Sequence, residues 1–180
     1  YKLLSERHTQ FVFSSSMNEL YTEFDRDKMT KILDNLLSNA FKFTPEEGRI
    51  DVWVGKSADG ENVIIKVSDS GVGIADKYKK HVFERFYQVP QADMAHGGSG
   101  IGLHMVQEFV KLHGGTVEVG DNVGQGSVFV VTLPIRQVQE VTINEDEIME
   151  SAKSNRRMIL IVDDNADFRQ LLQDTFKFSY

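Results

Sequence analysis

The sequence predicts an α+β protein: a mixed, mostly antiparallel sheet with three helices on one face, forming a two-layer sandwich. Three observations lead there. Two pairs of short alternating segments, 49–54 with 63–68 and 116–119 with 127–133, each enclose a turn and read as hairpins. Two longer segments, around 25–44 and 102–112, carry apolar residues at helical spacing. Between them, 75–87 also looks helical.

In chain order, residues 11–13 and 20–24 read as short strands. Asp25 can cap the helix that follows, in which Met29, Ile32, Leu33, Leu36, Leu37 and Ala40 share a face until Pro45 stops it. Ala58-Asp59-Gly60 is the turn of the first hairpin. Residues 88–99 form a loop of small and polar residues. Gly102 opens the third helix, and Gly114-Gly115 ends it beyond Leu112. Pro134 closes the second hairpin, and no internal repeat is present. This unit is assigned to 1–135.

Past Pro134 the character changes. Residues 136–157 read as an acidic linker, with Glu140, Glu145, Asp146, Glu147 and Glu150 and no Lys or Arg between 138 and 152. Residues 158–180 hold an apolar strand at 158–162, the pair Asp163-Asp164, and an amphipathic helix from about 166. A chain of 180 residues suits one full domain plus a fragment, since domains run to about 100–150 residues. The beginning, Tyr1-Lys2-Leu3-Leu4-Ser5, is expected to be a cut from something longer, with no signal peptide.

Composition narrows the classes. A net charge of −7 argues against a general nucleic-acid surface, because phosphate binding needs clustered basic residues. Zero cysteine removes disulfide and thiolate chemistry and suits a reducing compartment. The apolar runs are too short to span a bilayer. None of His8, His81, His96, His104 and His113 is paired with a second suitable ligand, which disfavours a zinc site.

Four boxes carry the chemistry. In Asp34-Asn35-Leu36-Leu37-Ser38-Asn39-Ala40-Phe41-Lys42-Phe43-Thr44, the residues Asn35, Asn39 and Lys42 fall within about 60° on one helical stripe, off the apolar face. They read either as a magnesium and phosphate site or as a solvated polar face; such faces are the commoner case, while asparagine in mid-helix, a poor helix former, argues against one here. In Asp69-Ser70-Gly71-Val72-Gly73-Ile74, a carboxylate at a strand end can accept from the adenine amine while glycines admit a flat ring. A plain turn is the alternative. In Gly98-Ser99-Gly100-Ile101-Gly102-Leu103, glycines open a helix whose free amides suit phosphate. A dinucleotide-binding loop needs a strand before it, and a polar loop stands there instead. Gly124-Gln125-Gly126-Ser127 is the fourth box. Phe83, Phe86 and Tyr87 flank Glu84-Arg85, with Phe83 read as core and the other two as anchors of the loop after them.

Together these boxes, with Phe83-Glu84-Arg85-Phe86-Tyr87, resemble the catalytic ATP-binding domain of bacterial sensor histidine kinases, which share the Bergerat (GHKL) fold with gyrase-type ATPases. The resemblance covers roughly residues 5–135. It implies that ATP and magnesium are the cofactors, with Asn39 coordinating the metal, Asn35 assisting and Lys42 meeting phosphate. It implies that Asp69 reads adenine and that Gly98, Gly100 and Gly102 close over the phosphates. Phe43, Gly71, Gly73, Ile74, Phe86, Tyr87, Ile101, Leu103 and Ser127 complete the implied nucleotide pocket. One departure is Gln88, where many relatives place Arg.

Residues 158–165, Met-Ile-Leu-Ile-Val-Asp-Asp-Asn, resemble the opening of a response-regulator receiver domain, without its phosphoacceptor strand. The pair implies a hybrid two-component sensor. Its expected partners are a histidine-bearing dimerisation domain upstream of Tyr1 and the receiver, with neither nucleic acid nor membrane bound by this chain. The expected location is the cytoplasmic part of a membrane-anchored sensor. None of the five histidines has the acidic neighbour and following proline of the family's phosphorylated helix, so this chain is expected not to phosphorylate itself. The strand at 158–162 is expected to pair with a sheet edge, or its helix to dock on an apolar surface. Competing readings are a gyrase- or chaperone-type ATPase, an anti-sigma serine kinase, and a non-catalytic ATP-binding module. The first two carry Glu where this chain has Asn35, and a neutral amide cannot act as a base.

Overall fold

The computed structural model describes residues 8–90 and 99–136. Five strands and three helices follow in the order β1 (Gln10–Ser15), α1 (Arg26–Phe43), β2 (Arg49–Lys56), β3 (Asn62–Asp69), α2 (Asp76–Lys79), α3 (Gly102–Leu112), β4 (Thr116–Asp121) and β5 (Ser127–Pro134). The sheet order is β1-β2-β3-β5-β4, with β1 parallel to β2 and all other pairs antiparallel. The mixed, mostly antiparallel sandwich is borne out.

Helix α1 forms where its ends and its face agree. The Asp25 carboxylate accepts from the Lys28 amide at 3.0 Å, satisfying one of the orphan donors of the first turn. Met29, Ile32, Leu36 and Ala40 are buried along one stripe. At the other end the Thr44 hydroxyl donates to the Ala40 carbonyl at 2.6 Å, and Thr44 is extended, as a residue before proline must be. Pleating then aligns the sheet's inner face: Val52, Val67, Phe129 and Val119 share one cross-strand row, and Val54, Ile65, Val131 and Val117 the next. Ile32, Leu36, Val106 and Val110, fully buried, pack from α1 and α3 onto this face.

Two expected elements differ. Residues 20–24 are not a strand: Leu20 packs on the core, Tyr21 and Phe24 are exposed, and the Arg136 amide bonds the Thr22 hydroxyl oxygen at 3.0 Å, so a side chain, not a ladder, ties this segment down. The helix expected over 75–87 stops after one turn. The chain continues in tight turns, with His81 N–H on the Tyr78 carbonyl and Glu84 N–H on the His81 carbonyl, because Val82 and Phe83 are both buried although adjacent. Phe83 meets Phe129 edge-on at 6.3 Å, as its reading as core required. Residues 137–157 of the acidic linker, the 158–180 segment and most of the 88–99 loop, including Gly98, lie outside the described residues.

Candidate nucleotide site

Strand β3 presents Val63, Ile65 and Val67 inward, and Asp69 is the next position in that series. A carboxylate therefore sits at the end of the core face, only 5 % exposed. Its Oδ1 accepts from the Gly71 amide at 2.8 Å and from the Ser127 amide at 3.3 Å. Burial pushes its pKa up, and those two bonds pull partly against it. Among the described residues no donor reaches Oδ2, so one acceptor oxygen remains for a ligand.

The surroundings admit backbone and little else. A Cβ on Gly71 would lie 2.5 Å from the Phe43 carbonyl oxygen at the end of α1. Gly126, at φ +102°, lies against the Asp69 carbonyl so closely that a Cβ would overlap it. Gly73 packs toward Gly126 across the same opening, and Ile74 is half-buried beside it.

Helix α1 supplies the second wall. Asn35, Asn39, Lys42 and Phe43 are all half-buried, at the border of the core. Asn35 donates its amide to the Lys31 carbonyl at 2.7 Å, and its Oδ1 lies beside Gly102, where a Cβ would stand 2.4 Å from it. The Lys42 ammonium stands 4.9 Å from the Phe43 ring centroid. Gly102 begins α3, whose cap residue Ile101 makes no side-chain capping bond, while the Ile101 amide donates to the Ser99 hydroxyl at 3.4 Å; Leu103 follows in the first turn.

Phe86 and Gly100 bracket the loop. Both have left-handed backbones, φ +65° and +67°, and Phe86 N–H donates to the Gly100 carbonyl at 2.8 Å. A Cβ on Gly100 would lie 2.6 Å from the Phe86 carbonyl carbon, so that bond requires glycine there. Tyr87 is held against His81 at 5.6 Å, while the Phe86 ring is exposed beneath Arg85. The structure thus gathers Asp69, Gly71, Gly73, Gly126 and Ser127 at one end of the sheet and Asn35 with Gly102 beside α3. One neighbour escaped the sequence: Asn122, whose amide reaches the Asp69 carbonyl at 2.8 Å. An asparagine before a glycine-rich turn reads as an ordinary turn residue, and nothing local announces a partner 53 positions away.

The fold matches known proteins. Residues 24–137 match the family described as histidine kinase-, DNA gyrase B- and HSP90-like ATPase, and the chain belongs to it. Within it, the domain is of the ATP-binding catalytic kind found in sensor histidine kinases. It is 37% identical over 141 residues to the sensor histidine kinase WalK of Bacillus subtilis, covering 78% of this chain and 23% of that protein. It is 37% identical over 157 residues to hybrid signal transduction histidine kinase D of Dictyostelium discoideum, covering 82% of this chain and 10% of the relative. Full-length ShkA in complex with AMPPNP superposes with a TM-score of 0.66 at 29% identity, over 76% of this chain and 28% of that one. The chain thus spans less than a quarter of the length of these curated relatives. Among the described residues no helix is long and apolar enough to cross a membrane.

Proposed function

We propose that this chain supplies the ATP-binding catalytic part of a hybrid sensor histidine kinase, passing the γ-phosphoryl of Mg·ATP to a histidine on a separate dimerisation domain. One observation carries the reading: a buried carboxylate, Asp69, keeps one acceptor oxygen beside Gly71 and Gly126, where any side chain would collide with neighbouring backbone. Adenine offers an amine there and guanine a carbonyl, so Asp69 selects ATP. Phe43, Gly71, Gly73, Ile74, Phe86, Tyr87 and Ser127 enclose the base and sugar side. Gly98, Gly100, Ile101, Gly102 and Leu103 meet the phosphates.

The donor set fits magnesium. No group of three His, Cys, Asp or Glu that would hold a metal by itself occurs among the described residues. Neutral Asn oxygens suit an ion that takes most of its ligands from triphosphate and water. Asn39 and Asn35 would hold it, and Lys42 would meet phosphate. When bound, the ion would neutralise charge on the phosphate oxygens. This chain's own residues position the nucleotide: Asn35 is fixed by Lys31, and the α3 amides await the anion.

The hybrid reading rests on residues 158–165 and on similarity to a protein whose own name is hybrid. Its partners would be the dimerisation domain and the receiver of the same parent, in the cytoplasm. Hydrolysis is the second reading, and Asn35 has no basic group to activate water. The test is incubation with γ-labelled ATP: the chain stays unlabelled, and an added histidine-bearing helical domain from the same parent becomes labelled. Steady phosphate release without labelled protein would favour the ATPase.

A further inference from the structure

The turn between β4 and β5 is built around one side chain. Asn122 is half-buried, and its main-chain N–H bonds the Gly126 carbonyl at 3.1 Å. Its Oδ1 accepts from the Val123 amide at 2.9 Å, which fixes Nδ2 as the end that donates to the Asp69 carbonyl at 2.8 Å. The same carbonyl is the one against which Gly126 packs, and the following amide, Ser127, bonds Asp69 Oδ1 at 3.3 Å. Asp69 is therefore held from the turn at two points: its main chain by Asn122, its carboxylate by Ser127. Pairing with Ile50 holds Asp69 on its β2 side, so loss of the Asn122 bond would free the side facing the turn and let the second carboxylate oxygen shift.

We propose that Asn122 is a positioning residue for nucleotide selection, fixing the Asp69 main chain so that its carboxylate discriminates the exocyclic amine of adenine. This rests on the reading of Asp69 as the adenine contact. The 180-residue chain is titrated calorimetrically with ATP and with purine riboside triphosphate, which lacks that amine. The wild-type chain should prefer ATP by about tenfold, the effect of one hydrogen bond to a charged group. Asn122→Asp keeps the acceptor for Val123 but sets an oxygen against the Asp69 carbonyl. ATP affinity should then fall about tenfold, and that of the purine analogue less than about threefold, so that the preference shrinks toward unity. A purely structural role would weaken both ligands alike and leave the ratio unchanged, and that result overturns the proposal. If Asn122→Asp does not fold, Asn122→Ala, which removes the donor without adding repulsion, reads the same ratio with the same two outcomes. A wild-type chain with no preference for ATP overturns the reading of Asp69 itself.

Discussion

Two buried polar residues anchor opposite ends of this domain, and their bonding differs in kind. At the end of β3, Asp69 takes two amides on Oδ1 and leaves Oδ2 to the opening. At the far end of α3, His113 has nothing left. Its Nε2 accepts from the Asp25 amide at 3.0 Å, so its proton sits on Nδ1, which points to the Phe109 carbonyl at 2.7 Å. Its own carbonyl takes the Arg136 guanidinium at 3.3 Å. A cavity of about 400 Å³ lies there, lined by Glu23, Phe24, Lys28 and Leu112 among others, with charges of both signs. The difference teaches that burial alone does not mark a functional polar group. A group whose hydrogen-bonding capacity is complete holds the fold together; one with capacity to spare is open to a ligand.

The largest effect should come from Asp69→Asn. The amide can still accept from Gly71 and Ser127, but it sets a donor against the adenine amine, costing ~1–3 kcal/mol of binding, or about five- to 150-fold in affinity. Calorimetry with ATP and GTP measures it; a variant that binds ATP as tightly as the wild type would erase the contrast between the two poles.

Gly126→Ala should follow, destabilising the fold by ~1–3 kcal/mol in denaturant titration, since the new methyl overlaps the Asp69 carbonyl in a strained backbone region. It should also weaken ATP binding, because it displaces Asp69. At the other pole His113→Ala should cost a similar ~1–3 kcal/mol by leaving the Asp25 amide without its partner. Its ATP affinity should stay unchanged. Loss of affinity in His113→Ala would mean that the two ends are coupled and that the comparison fails.

The smallest effect concerns pH. Burial raises the Asp69 pKa above its ordinary 3.8, so folding favours the neutral acid. That stabilisation is fully present below pH 3.8 and is lost as pH rises through the raised folded value. Above it, the ionised carboxylate is a cost that Asp69→Asn removes. Without nucleotide, Asp69→Asn should therefore melt slightly above wild type at neutral pH, and the gap should close on acidification. A variant that melts lower at neutral pH would show that the carboxylate supports the empty fold as well.

Much of this was legible in the chain because it is local. The Asp25 cap, the α1 stripe and the Gly102 start depend on neighbours within a turn of helix, and period-two alternation set β2 to β5. The four boxes pointed to a candidate site for the same reason: each is a short run whose residue types suit one chemistry. What depended on distant residues was hidden. Residues 20–24 alternate like a strand but have no ladder partner, and 82–83 break a helical pattern because the core takes both side chains. Only the tertiary structure decided that Asp69 is buried with one oxygen spare, that His113 is saturated, that Phe86 is bonded to Gly100, and that Asn122 holds a carbonyl 53 residues back. Helix periods and turn preferences are written in adjacent residues. Desolvation and hydrogen-bond saturation are sums over everything a group touches, and those sums exist only after the chain has folded.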